Sequence, residues 1–162
     1  MNEPSMKTLL SLLLVDDHTV VREGLKRLID PQANQWSITE AGTGFQAIEY
    51  LRRQPFDLAI VDLSMPGMSG LELTRRIKSE FPSVAVLVLT MHSEEQYAIR
   101  ALQAGANGYV TKDSAATELV AAVRKVASGG RYLTEATALA LAGAVERTGV
   151  VRATQQGAPA GV

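Results

Sequence analysis

The sequence predicts an α/β protein in which five parallel strands form a doubly wound sheet with helices on both faces. Three observations predict it. Short, unbroken apolar runs at 8–15, 58–61 and 84–89 read as strands buried on both faces. Stretches with apolar residues at helical spacing separate these runs. Polar residues stand where the strands stop: Asp16-Asp17, Asp62, Thr90 and Lys112. Strands joined by helical crossovers must run parallel, and five βα units make a three-layer sandwich.

The first strand, 8–15, stops at Asp16-Asp17. Val20, Val21, Leu25, Leu28 and Ile29 then recur at helical spacing, and Pro31 ends that helix. Trp36, Ser37 and Ile38 form a short, weak second strand. Gly42 and Gly44 turn the chain into a helix over 45–53, with Ala47, Ile48 and Leu51 inward. The third strand, 57–62, is the organising one: it ends at Asp62 and is followed by the breakers Pro66, Gly67 and Gly70. A helix over 70–80 carries Leu71, Leu73 and Ile77, and Pro82 closes it. The fourth strand, 84–89, ends at Thr90, and a helix over 94–104 follows. Gly105-Ala106-Asn107-Gly108 turns into a short fifth strand, 109–111, which ends at Lys112. A helix over 115–127, with Leu119, Val120, Val123 and Val126 on one face, stops at Gly129-Gly130. The expected organisation is one domain over 7–131, a linker helix over 132–147 capped by Thr134, and a flexible tail over 148–162 rich in Gly, Ala and Gln.

Composition narrows the chemistry. At 162 residues the chain can bury a full core. A net charge of −1 supplies no basic field for nucleic acid. The absence of cysteine excludes disulfides, thiolate metal sites and cysteine nucleophiles. No apolar run approaches the roughly 20 residues of a membrane span. The run Leu9-Leu10-Ser11-Leu12-Leu13-Leu14 after Lys7 ends at acids without a small-residue cleavage site, so a signal peptide is not expected. The expected location is the cytoplasm.

Each strand-end residue has an ordinary explanation by itself: Asp16 or Asp17 as a helix cap, Thr90 as a turn residue, Lys112 as a surface charge. Together they lie at the carboxyl edge of one sheet, where open α/β proteins bind ligands. Three carboxylates in one pocket repel and call for a cation, and an all-oxygen set suits Mg²⁺ or a similar hard divalent ion. Lysine and threonine beside that ion supply donors for an anion such as a phosphoryl group. A carboxylate can itself accept the phosphoryl group.

From about residue 9 to residue 133 the sequence resembles the receiver domain of two-component response regulators. Val15-Asp16-Asp17-His18 is similar to the family's acidic pair, and Val61-Asp62-Leu63-Ser64-Met65-Pro66-Gly67-Met68-Ser69-Gly70 to its phosphoacceptor segment. Leu89-Thr90 and Tyr109-Val110-Thr111-Lys112 are similar to its switch threonine, switch aromatic and lysine. The resemblance implies a flavodoxin-like, CheY-like sheet of order 2-1-3-4-5. It implies Asp62 as the nucleophile that takes phosphate from a histidine kinase. Mg²⁺ would be bound by Asp17, Asp62 and the backbone carbonyl of Ser64, with Asp16 acting through a bound water. Lys112 would pair with the phosphoryl group, Thr90 would hydrogen-bond to it, and Tyr109 would move with Thr90. Such a domain is a signalling switch and not a turnover enzyme. Asp113 stands where many members have proline, so a cis peptide after Lys112 is not expected.

The segments 105–113 and Ser128-Gly129-Gly130-Arg131-Tyr132-Leu133-Thr134 resemble the NarL/FixJ (LuxR-type) subfamily most. There a helix-turn-helix DNA-binding domain normally follows, and this chain carries no basic recognition helix. DNA contact is therefore expected only through a domain missing from this chain, and a homodimer is a further expectation. His18 is expected in a loop or helix-start role, and His92 beside the phosphate pocket. A Mg²⁺-dependent aspartyl phosphatase of similar topology would place an Asp two residues after the nucleophile, where this sequence has Ser64. A phosphate-independent interaction module would not need the intact set of strand-end residues.

Overall fold

The computed structural model describes residues 9–29, 34–91, 95–133, 138–139 and 142–143. The tail, most of the linker helix and His92 lie outside the described residues. The elements are β1 (Ser11–Val15), α1 (Thr19–Ile29), β2 (Ser37–Ala41), α2 (Gly44–Arg53), β3 (Leu58–Asp62), α3 (Gly70–Glu80), β4 (Ala85–Thr90), α4 (Glu95–Gln103), β5 (Gly108–Thr111) and α5 (Ala115–Ala127). A single 3₁₀ turn, Lys112–Ser114, joins β5 to α5. No helix among the described residues is long and apolar enough to cross a membrane.

The sheet order is β2-β1-β3-β4-β5, with every pair parallel. The fold is therefore the expected CheY-like, flavodoxin-like one. Alternation along the strands divides the core into two layers. Leu13, Val15, Ala59, Val61, Val86 and Val88 pack with residues of α2, α3 and α4. Leu12, Leu14, Leu58, Ile60, Leu87 and Leu89 pack with residues of α1 and α5. All five residues of β3 are buried, as a central strand covered on both faces requires.

Several elements differ from expectation. The first strand starts at Ser11, where its pairing with Ser37 begins, and Leu9 is exposed. β2 runs further than its three-residue signal, to Ala41, because an edge strand needs only partial burial and tolerates Thr39 and Glu40. Val20 and Leu28 are exposed; Leu25 and Ile29, one turn apart, carry the burial of α1. Tyr132, placed by sequence in the linker, lies on the β5 edge: it bridges to Gly108, donates its N–H to Asn107 and accepts from Tyr109 N–H.

Two local devices set the loop after β3. Ser69 caps α3 by accepting from Glu72 N–H at 3.1 Å, the first half of a capping box. Gly70 lies so close to the end of β3 that a Cβ there would stand 2.0 Å from the Asp62 carbonyl oxygen. Only glycine lets α3 start at that point.

Candidate functional site

The carboxyl edge of the sheet gathers Asp16, Asp17, Asp62, Thr90 and Lys112, each at or just past a strand end. Asp16 follows β1 and is fixed by its backbone: its N–H donates to the Ala41 carbonyl at 3.1 Å. Its carboxylate is 1% exposed and accepts from His18 N–H at 2.9 Å. Lys112, just past β5, reaches across the edge and is shared between two carboxylates. Its Nζ lies 3.1 Å from Asp16 Oδ2 and 3.4 Å from Asp62 Oδ1. Asp62 is 4% exposed and also accepts from Ser64 N–H at 3.3 Å.

One lysine between two buried carboxylates leaves the pocket short of positive charge. Burial pushes the Asp62 carboxyl above its ordinary range, and the Asp16 charge pushes it further. Lys112 and the Ser64 N–H offset only part of this. Asp17 adds a third carboxylate. Its Oδ1 is buried and accepts no hydrogen bond. His18 Nδ1 lies 3.2 Å from that oxygen but outside hydrogen-bond geometry, and the imidazole is largely exposed. Ligand atoms of Asp16, Asp17 and His18 lie within 4.8 Å of one another. Asp62 is joined to this group through Lys112. An unsatisfied buried carboxylate oxygen in an acid-rich pocket is the arrangement a hard cation fits.

Thr90 is fully buried at the end of β4. In the register Val88 faces Tyr109 and Thr90 faces Thr111. Thr90 is two residues past Val88 and so shares its sheet face, which makes Thr90 and Tyr109 diagonal neighbours on the α4 side. Tyr109 is 7% exposed and packs in the layer that holds Ala98, Ala101 and Leu102 of α4. It is a core aromatic. Ser64 is exposed at the mouth of the pocket. Among the described residues there is no cis peptide bond.

Sequence reasoning did not single out Arg22, Lys26 and Glu40. Arg22 Nε donates to Glu40 Oε1 at 2.8 Å, and Lys26 Nζ donates to Glu40 Oε2 at 2.7 Å. Arg22 Nη1 also donates to the Asp16 carbonyl oxygen. The available signal was weak: a basic residue on the first helix and an acid on a polar edge strand, 18 positions apart.

A sequence profile described as "Response regulator receiver domain" matches residues 12–124. The response regulator UvrY of Escherichia coli K12 is 39% identical over 125 residues, covering 77% of this chain and 57% of that protein. The response regulator GacA of Pseudomonas aeruginosa is 35% identical over 134 residues, covering 83% of this chain and 63% of that protein. The chain thus spans somewhat over half the length of these curated relatives. A crystal structure of a LuxR-family two-component response regulator from Aurantimonas sp. SI85-9A1 superposes with a TM-score of 0.75 at 36% identity, covering 87% of this chain and 99% of that one.

Proposed function

The chain belongs to the response regulator receiver family, in its NarL/FixJ (LuxR-type) branch, and on that footing we propose that it is a phosphorylation-driven switch whose acceptor is Asp62. The observation that carries the reading is the shared Lys112 between Asp16 and Asp62, beside an Asp17 oxygen with no hydrogen-bond donor. Mg²⁺ would be held by Asp17, Asp62 and the Ser64 carbonyl, with Asp16 acting through water. When bound, that ion supplies the positive charge that three carboxylates and an incoming phosphoryl group require.

The residues of the chain do the rest. The Asp62 carboxylate attacks the phosphorus of a phosphohistidine on a sensor histidine kinase. An O–P bond forms, the P–N bond breaks, and its electron pair stays on the imidazole, which takes up a proton. Lys112 neutralises phosphoryl charge from the β5 side. Thr90 donates its hydroxyl to a phosphoryl oxygen. Its inward movement opens space on the α4 side of the sheet, and Tyr109, already packed in that layer, repacks against it. Close to two added negative charges thereby become a change of packing on the α4–β5–α5 face. We place the receiver unit at 7–131, the linker at 132–147, with its first residue Tyr132 paired to the β5 edge of the receiver, and the tail at 148–162. The output is control of transcription, with homodimerisation as one route to it. The setting is the cytoplasm.

The test is incubation with acetyl phosphate and Mg²⁺, followed by intact-mass measurement and peptide mapping. The expected result is one added phosphoryl group on Asp62, absent without Mg²⁺ and absent in Asp62→Asn. A label on any other residue of the wild type refutes the assignment.

A further inference from the structure

Asp17 has no hydrogen bond of its own to hold its Oδ1 in place, yet that oxygen is buried in the pocket. His18 Nδ1 lies 3.2 Å from it without making a hydrogen bond, which leaves the backbone on either side as the hydrogen-bonded part of this loop. The peptide between Asp16 and Asp17 is held at its oxygen by Arg22 Nη1, and the preceding peptide is held by the bond from Asp16 N–H to the Ala41 carbonyl at 3.1 Å. Fixing the carbonyl of Asp16 fixes the plane of the peptide that leads into Asp17, and with it the place of the Asp17 Cα from which the side chain departs.

Arg22 is itself fixed. Its side chain is 15% exposed, and Nε is bound to Glu40 Oε1 at 2.8 Å. Its Nη1 packs beneath the β2–α2 turn, where a Cβ on Gly42 would lie 3.6 Å away. Glu40 is held from the other side by Lys26. Bonds from Lys26 first and Arg22 second keep the Glu40 carboxyl below its ordinary range, so the anchor stays ionised at neutral pH. The Arg22 charge is thus spent on Glu40, and what it delivers to the acidic loop is a hydrogen bond of fixed direction. Only a planar fork can bind a carboxylate with one nitrogen and a carbonyl with another in this way.

We propose that Arg22, anchored by Glu40, is the positioning residue for the metal-binding carboxylate Asp17. This inference rests on the Mg²⁺ reading above. Arg22 does not touch the ion; it acts by orienting the peptide that presents Asp17. Outer partners of this kind commonly change metal affinity by about 10–100-fold when removed.

The experiment measures Mg²⁺ affinity of the non-phosphorylated 162-residue chain by calorimetry, with urea unfolding alongside to fix the folded fraction. Wild type, Arg22→Gln, Arg22→Lys, Glu40→Gln and Asp17→Asn are compared. Arg22→Gln is expected to weaken Mg²⁺ binding by about 10–100-fold. Arg22→Lys keeps the charge, loses the fork and does not restore wild-type affinity. Glu40→Gln, which loosens the anchor, falls between wild type and Arg22→Gln and serves if the latter does not fold. Wild-type Mg²⁺ affinity in folded Arg22→Lys and Glu40→Gln overturns the proposal, even if both lower the urea midpoint, because that is the signature of a merely structural role. If the wild type shows no saturable Mg²⁺ binding that Asp17→Asn removes, the metal reading falls and this inference with it.

Discussion

Replacing Asp62 by asparagine is expected to stabilise the domain in the absence of divalent cation. The geometry sets the scale. Lys112 Nζ is 3.4 Å from Asp62 Oδ1 and 3.1 Å from Asp16 Oδ2, so the two oxygens lie within about 6.5 Å of each other. At an effective dielectric constant of about 20, the lysine attracts Asp62 by about 5 kcal/mol and Asp16 repels it by at least about 2.5 kcal/mol. Removing a carboxylate from water costs several kcal/mol more, and Asp62 is 4% exposed. Burial is the largest contribution and it wins, since the Asp62 carboxyl is pushed above its ordinary range. Asparagine keeps the shape and can still accept from Lys112 and Ser64, while Lys112 retains Asp16. The expected gain at pH 7 is about 1–2 kcal/mol, or about 3–6 °C in Tm. The pH dependence has a definite sign. A carboxyl raised on folding contributes stability that is fully present below its unfolded value of about 3.9 and is lost as pH rises through the folded value. Wild type and variant should therefore converge in acid and separate towards neutrality. The assay is thermal and urea unfolding in chelator from pH 4 to 8. A less stable variant at pH 7, or a difference that does not grow with pH, would show that Lys112 outweighs burial and would refute the reasoning. Saturating Mg²⁺ should reverse the order, because it stabilises wild type by mass action and binds the variant less well.

Two further outcomes follow from the same geometry. Gly70→Ala puts a Cβ 2.0 Å from the Asp62 carbonyl oxygen, so α3 must shift; the expected cost is about 1–3 kcal/mol or more, with loss of Asp62 phosphorylation, and a wild-type urea midpoint would contradict it. Lys112→Met removes the shared cation and should destabilise the chelated domain by about 3–5 kcal/mol at neutral pH. That loss should shrink as pH falls and Asp62 takes up a proton; a pH-independent loss would point to packing instead.

What was legible in the amino-acid sequence is what local order can encode. β3 is an apolar run that stops at a carboxylate and a breaker, so Asp62 had to sit at a buried strand end. The same logic located Asp16, Asp17, Thr90 and Lys112, and parallel crossovers put all of them on one edge. α3 and α5 matched their expected bounds because Ser69 with Glu72 and Gly129-Gly130 punctuate them locally. The strand order came from the family resemblance and not from periodicity, since apolar runs buried on both faces carry no mark of which neighbour they pair with. Tertiary structure alone decided which side chains meet. Lys112 and Asp16 are 96 positions apart, and Arg22 finds Glu40 only because β2 registers beside β1 with Leu14 opposite Glu40. Tyr132 joins the β5 edge for a similar reason: a strand edge offers backbone donors and acceptors to whatever chain passes, and none of that is written in side-chain type. Helical and strand periods are set by steric limits within a few residues, whereas charge pairing in a pocket depends on register and packing across the whole sheet.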